Sequence, residues 1–204
     1  MATVSEKLSK DFYARDAEKV ARDLLGKLLI RDKRGSKTTG KIVETEAYLG
    51  KDDPASHTFG GKKTERTEII YGPPGHAYVY LIYGMYHCFN VVTGKDGTPE
   101  GVFIRALEPV DDLDIMRKRR GLDSEDKGNL TDGPGKLCMA MDIDKSLNGE
   151  DLTGEKLFIS ERKSAKDFEI TEAKRINIDY AGDAKNWKLR YLIKDNPFVS
   201  EKPD

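Results

Sequence analysis

Glu44 and Glu46 are the residues in this sequence best suited by type and spacing to acid–base chemistry. They lie in Gly40-Lys-Ile-Val-Glu-Thr-Glu-Ala-Tyr-Leu-Gly50, a strand-like run in which alternation puts Ile42, Glu44, Glu46 and Tyr48 on one face. Glutamate is a poor strand former, so two in a β-branched run beside an aromatic need a reason. One reason is a solvated outer face; the other is a carboxylate in a cleft acting as general base toward water. Two residues apart on a strand is roughly 6.6 Å, a workable separation for a two-carboxylate glycosidase. Both point the same way, however, and cannot flank a sugar from opposite faces. A single base is the reading favoured.

A second candidate run is Tyr78-Val-Tyr80-Leu-Ile-Tyr83-Gly-Met-Tyr86-His-Cys-Phe-Asn90, which holds four of the nine tyrosines. Alternating tyrosines in strands commonly form core walls. They can also stack on a flat base, and a tyrosine on a hairpin tip can wedge into a duplex. Asn90 in an apolar strand needs a hydrogen bond or a ligand to offset its burial. Arg105, in Val102-Phe-Ile-Arg-Ala-Leu107, calls for a carboxylate partner, and Glu46 or Glu44 is the natural one. A structural ion pair and a catalytic dyad fit that pairing equally.

Other signals carry less. Gly35-Ser-Lys-Thr-Thr-Gly40-Lys41 nearly spells a phosphate-binding loop, but Ile42 stands where Ser or Thr must hold magnesium, and no helix follows. His57, His76 and His87 lack zinc-site spacing. The basic run Arg117 to Arg120 complements its own helix dipole. Gly133-Pro-Gly-Lys136 before an apolar helix suits either a phosphate or a simple cap.

The elements that must position these residues read as a mixed α+β domain spanning residues 1–204. It is built around a curved, mostly antiparallel sheet with peripheral helices. Ala17, Val20, Ala21 and Leu24 form a helical stripe within Asp16 to Leu25. Leu28 to Ile30 and Lys41 to Leu49 pair as a hairpin. Lys51 to Pro74 is a long loop, of the kind that in compact domains carries function. Ala77 to Tyr83 and His87 to Thr93 form a second hairpin with Tyr83 near its tip. A strand follows at Val102 to Leu107, and Pro109 with its acids is expected to open a helix. Gly121 to Asn129 reads as irregular, and strands are expected at Lys156 to Ile159, Arg175 to Ile178 and Lys188 to Ile193.

The chain has 204 residues, 35% of them charged and 37% hydrophobic, with a net charge of -1. Mean hydropathy is -0.64 and the pI near 6.4. No apolar run approaches the ~20 residues of a membrane span. The first residues lack an apolar signal core, and Cys88 and Cys138 lie in apolar segments without metal spacing. An intracellular, reduced protein is therefore expected. The net charge supplies no general basic field, so any nucleic acid must be held by a local basic face.

Five collinear motifs resemble one family. Val43-Glu-Thr-Glu-Ala-Tyr-Leu-Gly50, the loop to His57, Tyr78-Val-Tyr-Leu-Ile-Tyr-Gly-Met-Tyr86, Arg105-Ala-Leu-Glu-Pro109 and Gly133-Pro-Gly-Lys-Leu-Cys138 are similar to the alkyladenine (3-methyladenine) DNA glycosylases. The similarity runs from about Leu24 to Ile143. It resumes more faintly at Arg175-Ile-Asn-Ile-Asp-Tyr-Ala-Gly182 and Asn196-Pro-Phe-Val-Ser200. The resemblance implies a monofunctional, cofactor-free and metal-free enzyme that excises damaged purines from double-stranded DNA. It implies Glu46 as the base that deprotonates water, and Arg105 as an aid to positioning. Tyr48, His57 and Tyr80 would enclose the flipped purine, and Asn90 would exclude guanine. Tyr83 would fill the gap in the duplex with Met85 nearby, and Lys136 and Arg175 would match backbone contacts. A monomer without membrane or obligate protein partner is expected. The alternatives are a non-catalytic reader of modified bases and a hydrolase of free nucleosides.

Overall fold

The computed structural model describes residues 4–123, 129–162 and 167–203. The strands are β1 (Val4–Lys7), β2 (Leu28–Lys33), β3 (Ser36–Tyr48), β4 (Ala77–Ile82), β5 (Tyr86–Thr93), β6 (Glu100–Asp111), β7 (Leu157–Arg162), β8 (Ile170–Ala173) and β9 (Arg190–Ile193). The helices are α1 (Lys10–Tyr13), α2 (Ala17–Leu24), α3 (Leu113–Arg120) and α4 (Pro134–Met141).

Among the described residues, the strands form one antiparallel sheet in the order β1-β7-β2-β3-β6-β5-β4, with β9 joining β3 to β8. This is the expected α+β architecture. The long strand β3 organises it. Ser36 to Lys41 pair with β2, Glu44 to Glu46 pair with β9, and β6 runs along the strand from Thr39 to Tyr48. Register shifts against β6 fall at Thr39/Gly40 and on either side of Glu44. Such irregularities bend a strand and re-aim its side chains. Gly40 sits at the handover, where a Cβ would lie 2.9 Å from the Leu107 side chain.

The α2 stripe buries the four residues its 3.6-residue period picks out, Ala17, Val20, Ala21 and Leu24. They join Ile42, Val43, Phe89, Ile104 and Leu107 in the main core. Cys88 and Cys138 are both buried free thiols. No helix among the described residues is long and apolar enough to cross a membrane.

Two expected elements differ. Pro109 opens no helix: β6 continues through it to Asp111, with Pro109 opposite Gly40. Proline lacks the N–H of a regular ladder and is tolerated beside the register shift there. The helix begins at Leu113, after Asp112 turns the chain with φ 57°. Arg175 to Ile178 is not a strand but an irregular segment, with Asn177 in the left-handed region at φ 58°. Of the irregular stretch expected at Gly121 to Asn129, residues 124–128 lie outside the described residues.

Candidate active site

Sheet register brings the candidate residues into one row. Glu46 on β3 stands opposite Phe103 on β6, Phe103 opposite Asn90 on β5, and Asn90 opposite Tyr78 on β4. Directly opposed residues share a face, so the row lies on one side of the sheet. Above it opens a cavity of about 620 Å³, within the range that holds small ring-shaped ligands. Tyr48, His57, Tyr78, Tyr80, Asn90, Phe103 and Arg105 are among its walls. The segment Ile176–Ile178, the long loop that carries His57 and Arg66, and residues 133–136 at the start of α4 also contribute to the lining.

Glu44 and Glu46 both have no exposed surface, so neither lies on a solvated face. Their surroundings differ. Glu44 accepts from Arg105 Nε (3.0 Å), Arg190 Nε (2.7 Å), Ser200 N (2.6 Å) and Ser200 Oγ (2.9 Å). Four donors satisfy it. Glu46 accepts from the Ile176 backbone N–H at 2.8 Å and from the Tyr48 hydroxyl at 2.9 Å, and Arg105 Nη1 stands 3.4 Å from its Oε1. Glu46 lies one layer behind the wall: Tyr48, Arg105 and Ile176, which hold it, all line the cavity. Arg105 thus pairs with both candidate carboxylates. Its burial works against the charge, but Glu46 and Glu44 outweigh that and hold the guanidinium's pKa above its ordinary value.

The aromatic walls are fixed from behind. The guanidinium of Arg175 lies 4.7 Å from the Tyr48 ring centroid. Arg175 is itself clamped by two bonds to the buried Asp53 and donates to the Ala47 carbonyl at 3.0 Å. Its side chain has no exposed surface. Arg175 thus braces the Tyr48 ring from behind. Burial and then Glu46 push the Tyr48 hydroxyl well above the usual phenol pKa, so it stays a neutral donor. Tyr78, Tyr80 and His57 pack edge to face or tilted, with centroids 4.8 to 6.1 Å apart. His57 Nδ1 meets the Tyr78 hydroxyl at 3.0 Å. Burial of its ring among these tyrosines, then the Arg66 charge, pushes His57 down to about 4, so the imidazole is neutral at neutral pH.

Asn90 lines the cavity and spends one Nδ2 donor on the Tyr78 carbonyl at 3.2 Å. Tyr83 stands at the tip of the β4–β5 hairpin, as expected, with 76% of its surface exposed. Tyr83 and Gly84 have φ of 54° and 70°, and Met85 N–H closes the turn on the Ile82 carbonyl. This is the doubly left-handed two-residue turn that matches strand twist. A tyrosine there costs about 1–2 kcal/mol relative to glycine, and its exposed ring borders the cavity. Met85 is also exposed, but on the side of a smaller groove with His87 and Met139. Lys136, on α4, lines the cavity and is paired with Asp132 at 3.1 Å.

Several lining residues carried no signal of their own in the sequence. Phe103 reads as an ordinary core residue until register places it between Glu46 and Asn90. Arg66, whose guanidinium lies 4.7 Å from the Tyr80 ring, comes from a turn in the long loop, and Tyr180, 71% exposed with its hydroxyl on the Ala55 carbonyl, from the 3-10 helix Asp179–Asn186. Their position depends on long-range chain packing. Arg66, Arg105, Arg120 and Lys136 line this cavity together with Glu100, but Arg105 is paired with Glu44 and Glu46 and Lys136 with Asp132.

The site combines aromatic walls with a buried carboxylate one layer behind them. Residues 11–197 match the methylpurine-DNA glycosylase (MPG) family, and the chain belongs to that family. Among its relatives is a protein of Clostridium acetobutylicum, 50% identical over 95% of this chain and 97% of its own. A second, from Alkaliphilus oremlandii, is 52% identical over 96% of this chain and the whole of its own. A third, from Desulfitobacterium hafniense, is 48% identical over 97% and 100%. All three are provisionally named 3-methyladenine DNA glycosylases.

Proposed function

We propose that this protein excises 3-methyladenine-type damaged purines from double-stranded DNA in base-excision repair, by direct attack of a water activated by Glu46. The observation that carries the reading is the placement of Glu46. It is a buried carboxylate held by Arg105, Tyr48 and the Ile176 N–H immediately behind an aromatic cavity. A base inside a duplex hides its glycosidic bond, so the nucleotide must swing out into such a pocket. Tyr83 is the side chain suited to fill the space it leaves.

Alkylation at N3 or N7 makes the purine cationic and already a good leaving group. Tyrosine faces favour such a cation over the neutral base. The free face of Tyr48 and the Tyr80–His57 wall would hold the ring. Water binds where Tyr48 and Arg105 meet, its oxygen bonds to C1′, its proton passes to Glu46, and the C1′–N bond breaks with its electrons leaving on the purine. Asn90, on the cavity wall, would deny room to the 2-amino group of guanine. A non-catalytic reader has no need of a buried carboxylate at this place. A hydrolase of free nucleosides would leave the strained, exposed Tyr83 without a task.

The test is to incubate the protein with methylated duplex DNA and with free methylated nucleoside, in EDTA and with borohydride. Release of methylated purine from the duplex alone, with no trapped adduct, is expected. Cleavage of the free nucleoside at a comparable rate, a metal requirement or a trapped adduct contradicts the proposal.

A further inference from the structure

We propose that Ser200 is a positioning residue for Arg105 and, through it, for Glu46; this rests on the reading of Glu46 as the base. Ser200 lies outside the cavity wall, on the segment that follows β9. Its hydroxyl bridges the two charges behind the site: it donates to Glu44 Oε1 at 2.9 Å and accepts from Arg105 Nη2 at 3.3 Å. A hydroxyl has one proton to give and lone pairs to receive, and this one does both. Arg105 is thereby held at three points. Nε is on Glu44 at 3.0 Å, Nη2 on Ser200, and the remaining Nη1 is aimed at Glu46 at 3.4 Å. Among the described residues, Ser200 Oγ is the one hydrogen-bond partner of Nη2.

The segment is anchored well enough to act as a clasp. Phe198 and Val199 pack against the main core. Asn196 donates to Glu108 on β6 at 3.2 Å and receives the Phe198 N–H at 2.9 Å. Arg190, which stands opposite Glu46 in the β3–β9 register, bonds both Glu44 and the Glu201 carbonyl. The charges close as well: two carboxylates and two guanidiniums form one buried group, which leaves orientation as the quantity that the clasp controls. Glu44 keeps Arg105, Arg190 and the Ser200 N–H without the hydroxyl, so loss of Oγ frees the outer end of Arg105 more than it unsettles Glu44. A guanidinium released at that corner can swing as a rigid plane about its Cδ–Nε bond and no longer presents Nη1 to Glu46 at a fixed angle, and small misplacements at a reacting centre carry large rate effects.

The experiment compares Ser200→Ala, Ser200→Thr, Arg105→Lys and the Arg105→Lys/Ser200→Ala double variant with the wild type. It measures single-turnover base release, lesion-duplex affinity and melting temperature. Ser200→Ala is expected to slow base release about ten- to a hundredfold with affinity and melting temperature nearly unchanged. Threonine, which restores the hydroxyl, should recover most of the rate, and Ser200→Ala should add nothing once Arg105 is lysine. An unchanged rate in Ser200→Ala overturns the proposal. So does a rate loss that tracks the loss of folded protein and affinity, or one that multiplies with Arg105→Lys. Glu46→Gln, run alongside, separates the two readings: an inactive Glu46→Gln with a normal Ser200→Ala overturns the clasp alone, whereas a fully active Glu46→Gln overturns the base itself.

Discussion

Glu44 and Glu46 stand two residues apart on one strand, on one face, each with no exposed surface. By composition and alternation they are equivalent, and one arginine touches both. What separates them is the company on the far side. Glu44 faces β9 and the segment at Ser200, where two arginines, a backbone N–H and a hydroxyl use up its lone pairs. Glu46 faces the cavity wall and is held by Tyr48, Ile176 and the third arm of Arg105. A carboxylate surrounded by donors is committed to holding the fold. The one with fewer donors, set behind a pocket, is the carboxylate proposed to act on a substrate's water. The register shifts on either side of Glu44 are what allow neighbours on one strand to meet such different environments.

That contrast can be broken by stability. Glu44→Gln takes the negative charge from between two buried guanidiniums, and removal of one partner of a buried ion pair costs ~3–5 kcal/mol. Its unfolding midpoint should fall well below that of Glu46→Gln, in which Arg105 keeps Glu44. If chemical denaturation ranks the two variants the other way, the assignment of a structural and a chemical carboxylate is reversed.

The comparison is sharpened at the mouth of the cavity, where Tyr80 belongs to the wall and Tyr83 to the solvent. Tyr83→Ala should slow excision from duplex DNA while excision from single strands changes little, because only a duplex loses stacking, a few kcal/mol per step. Equal losses on both substrates would return Tyr83 to a purely structural role. A smaller effect is expected at Asn90. Replacing it with Ser opens room for the 2-amino group that distinguishes guanine from adenine and should allow slow release of guanine from defined duplexes, with adenine lesions still processed. Loss of all activity without that gain would show that the bond to the Tyr78 carbonyl is the whole purpose of Asn90.

The legible parts of this molecule are those encoded by short-range period. The α2 stripe and the Tyr83 hairpin tip follow from local spacing, and both are as expected. Pro109 misleads because proline followed by acids is also how helices begin, while the ladder with Gly40 that keeps it in β6 is a long-range fact. Ile176-Asn-Ile178 misleads because its alternation copies a strand, whereas Asn177 is one of the residues that tolerate left-handed backbone. At the site, the glutamates, Asn90 and Arg105 could be singled out as unusual residue types for strands, and the tyrosines by their clustering. Arg175 could not be assigned to its place, since its partner Asp53 lies 122 residues away and nothing local announces the pair. Arg66 and Tyr180 escape for the same reason, one delivered by a turn in the long loop and the other by the 3-10 helix Asp179–Asn186.

The most direct measurement of the central claim is single-turnover release of 3-methyladenine or hypoxanthine from a defined duplex by wild type and Glu46→Gln, with the affinity of each for the same duplex. An amide in place of the carboxylate preserves size and one accepting oxygen but cannot take a proton from water. Base release should fall by about 10²–10⁴-fold while affinity for the lesion duplex holds. Release at the wild-type rate by Glu46→Gln, or a loss explained wholly by weaker binding, would contradict the account.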